Sequence, residues 1–269
     1  MKTIHNWREF AQVMIETNEL DPTYPVITYL LANHDNNWKG RFLLHYLWFY
    51  NLIDAIKAAD NTSDETFWTR CYEDGAGVGV KRGGARRHFR AENARSAILT
   101  MEKKHMSPWE IICDMHKPRY HDLVAYIQSR YKNTQIGSYY IWKLMDWYDI
   151  CLGWDVHLGT HAALKFMPDV PRDAAAEFFP DRPFKEVIEV MTGFVGQFSH
   201  PVKPYTACGI SEVETILCGL HASFGPGKLA IGADINKQWA ILDGMPELQE
   251  QLPARILGQY ELGEYRYVA

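Results

Sequence analysis

The chain has 269 residues, enough for one large domain or two small ones with a real core. Hydrophobic residues make up 47% and charged residues 23%, the balance of a soluble globule. The net charge of -5 argues against a wholly basic nucleic-acid coat protein but leaves room for one local basic face.

Helical periods run through the chain. Its first residues, MKTIHNWREFAQVM, are polar and amphipathic, with no signal peptide, and predict a helix over Asn6 to Thr17. Thr23 to Asn33 predicts a second helix, with Pro25 tolerated in its first turn. Arg41 to Ala59 reads as one long buried helix. Its apolar run from Phe42 is about 12 residues and contains His45, too short to span a bilayer. Ser63 opens a further helix as a weak capping box with Thr66. The Gly-rich stretch Gly75 to Gly84 is a loop, and Arg86 to His105 a helix. Ser107 caps the next helix, with Pro108 at its first position.

His121 to Tyr131 follows as a helix, then Ile136 to Gly153 as one strongly apolar helix. The Pro- and acid-rich Asp169 to Pro183 is an internal loop. Phe184 to Phe198, Glu212 to His221 and Asp234 to Leu242 supply the last helices, and YRYVA at the end is a weak strand. With no repeats and no internal boundary, the expected fold class is mainly α, as a single domain over residues 1–269. Cys71, Cys113, Cys151, Cys208 and Cys218 form no CxxC pair. That fits neither a disulfide framework nor a zinc site, and suits a reducing cytoplasm. The aromatic residues, nine of them Trp, make a large core or stack on planar ligands.

The most unusual stretch is VKRGGARRHFRAENARSAI. Lys81, Arg82, Arg86, Arg87, Arg90 and Arg95 stand within fifteen residues, against one acid, Glu92. On a helix Arg86, Arg87 and Arg90 share one side, where like charges repel by a few tenths of a kcal/mol per pair. The helix N-terminus also disfavours cations. An anion lying against them would remove both penalties. Arg suits phosphate through its planar fork, and glycines let backbone N–H groups approach closely. The stretch is neither a P-loop nor a dinucleotide fingerprint. A solvated basic face paired to acids elsewhere is the other reading.

Three further constellations carry chemistry. In GSYYIWKLMDWYD, Lys143 and Asp146 are three apart inside an apolar helix. A carboxylate there is either paired or a functional group. Glu214, Cys218 and His221 fall on one helical face, which allows a thiol nucleophile or a small buried hydrophobe. Asp234 is a helix N-cap or a site carboxylate. The spacing of His157 and His161 is compatible with a metal, but no carboxylate partner is evident. Neither a metal nor another cofactor is read from the sequence.

RGGARRHFR (Arg82 to Arg90) resembles the RG-x-x-RRHFRG block of the phage amino acid:DNA transferases, which are related to the α-glutamyl/putrescinyl thymine pyrophosphorylases. IGSYYIWKLMDW (Ile136 to Trp147) is similar to that family's IG-x-x-x-x-x-K-x-x-D helix. ETILCGLHASFGPGKLAIGAD (Glu214 to Asp234) resembles its E-T-x-L-C block with the downstream G-x-D. Ala91 stands where the first block has glycine. The three blocks lie in the family's order.

The resemblance implies a helical fold like that of helix-hairpin-helix DNA glycosylases. It implies a transferase that places an amino acid or polyamine on an activated, phosphorylated or pyrophosphorylated 5-hydroxymethyluracil in DNA, giving hypermodified thymine. The partners are then that DNA and the amine, with no membrane. Asp146, Asp234 and Lys143 are the expected catalytic residues. Arg82, Arg86, Arg87, His88, Arg90 and Lys228 are expected on phosphate or DNA. Tyr139 and Trp142 are expected to stack on a base flipped from the duplex. A glycosylase-like enzyme or a non-catalytic DNA-binding subunit of a modification complex are the alternatives.

Overall fold

The computed structural model describes residues 2–4, 6–61, 63–75, 91–104, 106–116, 119–130, 138–156, 158–160, 164–165, 167–223, 240–257 and 265–267. In chain order these form β1 (Lys2–Ile4), α1 (Trp7–Glu16), α2 (Tyr24–Asn33), α3 (Asn36–Phe49), α4 (Leu52–Ala59), α5 (Asp64–Gly75), α6 (Ala91–Glu102), α7 (Pro108–Met115), α8 (Tyr120–Arg130) and α9 (Ser138–Asp146). A π-helical turn (Trp147–Cys151) continues α9. Then come α10 (Asp169–Phe178), α11 (Phe184–Val195), α12 (Ile210–Ser223), α13 (Pro246–Gln251), α14 (Ala254–Leu257) and β2 (Tyr265–Tyr267). The chain is mainly helical, as expected. Among the described residues no helix is long and apolar enough to cross a membrane.

Several helix starts follow the side chains that the sequence offers. Asn6 accepts from the backbone N–H of Arg8 and Glu9. Asp35 caps α3 by accepting from Trp38 at 2.9 Å. Ser107 and Glu110 form a reciprocal capping box around Pro108. Each such cap is worth about 1 kcal/mol.

Two expectations are corrected. Arg41 to Ala59 is not one helix: α3 stops at Tyr50, which turns into the left-handed region with φ 49, and Asn51 caps a new helix by accepting from Asp54. The expected loop over Asp169 to Pro183 begins as helix α10. Pro171 lies in its first turn, where proline costs nothing, and the alanines that follow have the highest helix propensity. Ala174 and Ala175 are buried, and their small side chains let α10 lie close against α12.

The chain divides into two compact units. The first holds Met1–Tyr29, Ile150–Gly153 and Leu158–Ala269. There β1 and β2 pair in parallel, with Lys2 opposite Tyr265. The strand at Lys2 stands where the sequence pattern reads as the approach to a helix. Helix α1 packs on α12 through Phe10 and Met14, whose side chains stand over Gly219; a Cβ there would lie 3.1 Å from the Met14 sulfur.

The second unit holds Leu30–Asp149 and Trp154–His157. It is built on α3, which packs against α4 and α7. An aromatic ladder repeats every four residues along it, His34 on Trp38, Trp38 on Phe42, Phe42 on Tyr46 and Tyr46 on Tyr50, with ring centroids 3.8 to 5.8 Å apart. Much of the aromatic content of this unit is therefore core. Gly40 lies where α3 meets the start of α7, and a Cβ there would fall 2.2 Å from the Trp109 backbone nitrogen. Backbone cannot rotate away as a side chain can. Gly40→Ala should therefore destabilise the protein by about 1–3 kcal/mol through overpacking. The check is chemical denaturation; a midpoint equal to wild type would refute this account of α3–α7 contact.

Candidate active site

Helix α9 is buried from Tyr140 to Asp146. Its apolar residues need no partners, but Lys143 and Asp146 do. Spaced one turn apart, they meet on the same side of the helix: the Lys143 ammonium donates to Asp146 Oδ2 at 3.1 Å, and both side chains are 2% exposed. Either charge alone at this depth would be costly; together each offsets the other's desolvation.

The next turn departs from the expected single helix to Gly153. It widens into the π-helical turn, a geometry that shifts the side chains beyond it around the axis and that concentrates at functional sites. The Tyr148 carbonyl accepts from the Trp154 N–H at 2.7 Å, and the Tyr148 hydroxyl donates to the Ile112 carbonyl at 2.9 Å. These bonds anchor the widened turn to α7.

Helix α8 supplies Tyr120, whose ring meets Trp142 edge-on at 5.4 Å. Burial, and then the negative charge of Asp146, push the Tyr120 hydroxyl above its ordinary pKa. It therefore keeps its proton at neutral pH. The Lys143–Asp146 pair on α9 and the Tyr120 ring packed edge-on against Trp142 are thus held in one buried region. Tyr120 is absent from the residues that the sequence pattern points to, because nothing in PRYHD marks it as facing another helix.

The structure therefore brings Lys143, Asp146 and Trp142 together. Trp142 is buried, with its ring edge-on to that of Tyr120 at 5.4 Å. Tyr139 lies in the first turn of α9. Arg82, Arg86, Arg87, His88, Arg90, Lys228 and Asp234 lie outside the described residues, as do His157 and His161. Cys218 and His221 are not brought together as a nucleophilic pair: Cys218 donates to Glu214 at 3.3 Å, while His221 faces Glu177 at 3.5 Å. None of the five cysteines is in a disulfide. Burial raises the Cys71 and Cys113 thiols, and burial with the Glu212 charge pushes Cys208 up to about 12.

Two buried histidine–carboxylate pairs also escape the sequence pattern. In the second unit His45 donates through Nε2 to Asp74 Oδ2 at 2.8 Å, and Arg70 donates to the same oxygen at 2.8 Å. Burial lowers the His45 pKa below 6.5 and outweighs the carboxylate's pull, so the ring is neutral. Its buried Nδ1 has no partner. That suits a bare acceptor and puts the proton on Nε2. Burial raises the Asp74 carboxyl, but hydrogen bonds from His45 and Arg70 outweigh it and hold the group below its ordinary value. In the first unit His200 Nδ1 accepts from Val202 and Lys203, and Nε2 faces Glu212 at 3.5 Å. Glu212 also accepts from the Gly209 N–H.

No protein-family model matches the chain. Over 94% of its length it is 26% identical to a putrescinyltransferase of Delftia phage PhiW-14, and it covers 85% of that protein. The chain is related to a phage amine transferase. The family resemblance carried by the three sequence blocks and the expectation of a transferase are borne out by this relative.

Two outcomes follow from the buried charges. Lys143→Met removes the ammonium that faces the buried Asp146 carboxylate and should cost about 3–5 kcal/mol, while the double change with Asp146→Leu should regain most of it. Denaturant unfolding of the three proteins measures this, and a fully stable single mutant would show that the pair is not buried as described. Separately, the unfolded chain takes up a proton at the His45 position near pH 6.5 that the folded chain resists. The stability due to neutral His45 is thus present above pH 6.5 and is lost as pH falls below it. The melting temperature should decline from pH 7.5 to 5.5, and less steeply in His45→Gln; identical slopes would exclude His45 as the cause.

Proposed function

We propose that the chain is a phage DNA-modification enzyme that transfers a small primary amine to the activated 5-hydroxymethyl group of 5-hydroxymethyluracil in DNA. The observation that carries this reading is the near full-length relation to a putrescinyltransferase. Putrescine is accordingly the first donor to test, with glycine, serine and glutamate beside it. The chain is read as one helix-hairpin-helix glycosylase-like domain working in the host cytoplasm.

The reaction balances simply. The amine nitrogen bonds to the exocyclic carbon, the C–O bond breaks, and phosphate or pyrophosphate leaves with the electron pair. The proton lost from the attacking nitrogen passes to a base. A primary amine is mostly an ammonium ion at neutral pH, so it needs a carboxylate to hold it and an acceptor for its proton. Asp146 has that role, with Asp234 as the second candidate, and Lys143 sets the charge and position of Asp146. Arg82, Arg86, Arg87, His88, Arg90 and Lys228 take the DNA backbone and the departing anion. Tyr139 stacks on the flipped base.

The test uses duplex DNA carrying 5-(pyrophosphoryloxymethyl)uracil, incubated with each amine, digested and analysed as nucleosides by mass spectrometry. An adduct at the exocyclic carbon is expected with one amine. An abasic site would instead identify a glycosylase, and unchanged DNA with intact binding a non-catalytic subunit. Asp146→Asn should lower turnover at saturating amine by roughly 10²–10⁴-fold in a folded protein. Arg87→Ala should lower it by about 10²–10³-fold if it meets the leaving group. Normal turnover in Asp146→Asn removes that residue from the mechanism.

A further inference from the structure

Between α11 and α12 the first unit carries a loop, residues 199–209, that is braced along its whole length. Ser199 and Ala207 form an antiparallel bridge. The His200 N–H donates to the Thr206 carbonyl at 2.8 Å, the Thr206 N–H to the Lys203 carbonyl at 2.9 Å and the Cys208 N–H to the Phe198 carbonyl at 2.9 Å. The buried His200 ring closes the loop from inside: its Nδ1 accepts from the Val202 and Lys203 N–H groups at 3.1 and 3.2 Å. Its Nε2 faces Glu212, which in turn accepts from the Gly209 N–H at the far end of the loop. Pro201 and Pro204 fix two further φ angles near the tip. At that tip stands Tyr205, 102% exposed; the next most exposed large hydrophobic side chain among the described residues, Val170, is 43% exposed.

A ring that buries no surface adds nothing to the fold by burial. Held on a fixed backbone, with two side-chain torsions of its own, it loses little entropy when a planar partner stacks on it. Charge decides which partner. From Val190 to Ser211 the chain has one lysine, Lys203, and no Asp or Glu. The next acid, Glu212, is buried and engaged by His200 and Gly209. In a chain of net charge -5 the loop thus brings a cation and no carboxylate of its own to its tip. An aromatic ring beside a cation is the pairing that takes a nucleic-acid strand, the ring stacking on a base while positive charge follows the backbone. Within a duplex the base faces are already covered by their neighbours, so the ring fits an unpaired base. We infer that Tyr205 is a stacking contact for an unpaired base of the DNA on which the enzyme works. This rests on the proposed action on DNA.

The experiment measures binding of the full chain to a short single-stranded oligothymidylate as a function of salt, with a fully paired duplex of the same length beside it. Tyr205→Ala should weaken binding to the single strand about tenfold. It should leave the melting temperature unchanged, and also the slope of log affinity against log salt, because an uncharged contact releases no counterions. Tyr205→Phe and Tyr205→Trp should bind as wild type, Tyr205→Leu as Tyr205→Ala, and binding of the duplex should change little in any of them. With 5-iodouracil in the strand, irradiation should join it to the peptide that holds Tyr205. Wild-type affinity for the single strand in Tyr205→Ala overturns the inference, and so does an equal loss in Tyr205→Phe, which would mark a hydroxyl contact. Loss of self-association in Tyr205→Ala by sedimentation velocity, with DNA binding intact, overturns it in favour of an interface between copies of the chain. The two levels separate on the wild-type protein: if it binds neither strand nor duplex and forms no nucleoside adduct, the action on DNA fails and the inference with it. If it forms the adduct while Tyr205→Ala binds as wild type, only the stacking contact fails.

Discussion

A charge can stay inside a helical, aromatic core only if a partner is held within hydrogen-bonding distance of it, and the second unit depends on meeting that condition. Asp74 meets it with His45 and Arg70, Asp146 with Lys143. Because the His45–Asp74 bond is short and directional, it dictates how α3 and α5 are placed, where apolar contacts alone would tolerate small slides. The aromatic ladder of α3 supplies the burial that makes the bonds matter, by keeping water from competing for the same groups.

The buried pairs differ in what they can do. His45 is neutral and donates its one ring proton to Asp74, and its ring lies 4.6 Å from that of Phe49. It stiffens. His200 likewise receives two backbone N–H groups and faces Glu212, tying the residues after α11 to the start of α12. Lys143 and Asp146 are of another kind. They bring two full charges together beside a protonated phenol, at a helix that widens in its next turn.

The contradiction between an acidic chain and a dense run of arginines resolves on the same grounds. Net charge governs long-range behaviour, while a local cluster of cations acts where an anion approaches it. Of the six cations, Arg95 lies over the Tyr72 ring of α5 at 4.5 Å.

Helix starts at Ser107 and Asn6, the proline-tolerant first turns, and the charge pair at Lys143 and Asp146 were legible in the residues themselves, because caps and i, i+3 pairs are local chemistry within one turn. So was the relation to a phage amine transferase, to which three sequence blocks in order point. The break at Tyr50 was not legible, since a left-handed non-glycine residue is paid for by packing that its neighbours in sequence do not reveal. Nor was helix α10, whose prolines and acids look like a loop until α12 covers its alanines. The pairing of His45 with Asp74, twenty-nine residues apart, and of Tyr120 with the charge of Asp146 came only from the tertiary structure. Local sequence determines which groups need a partner; only the folding of distant helices against one another decides which partner they find.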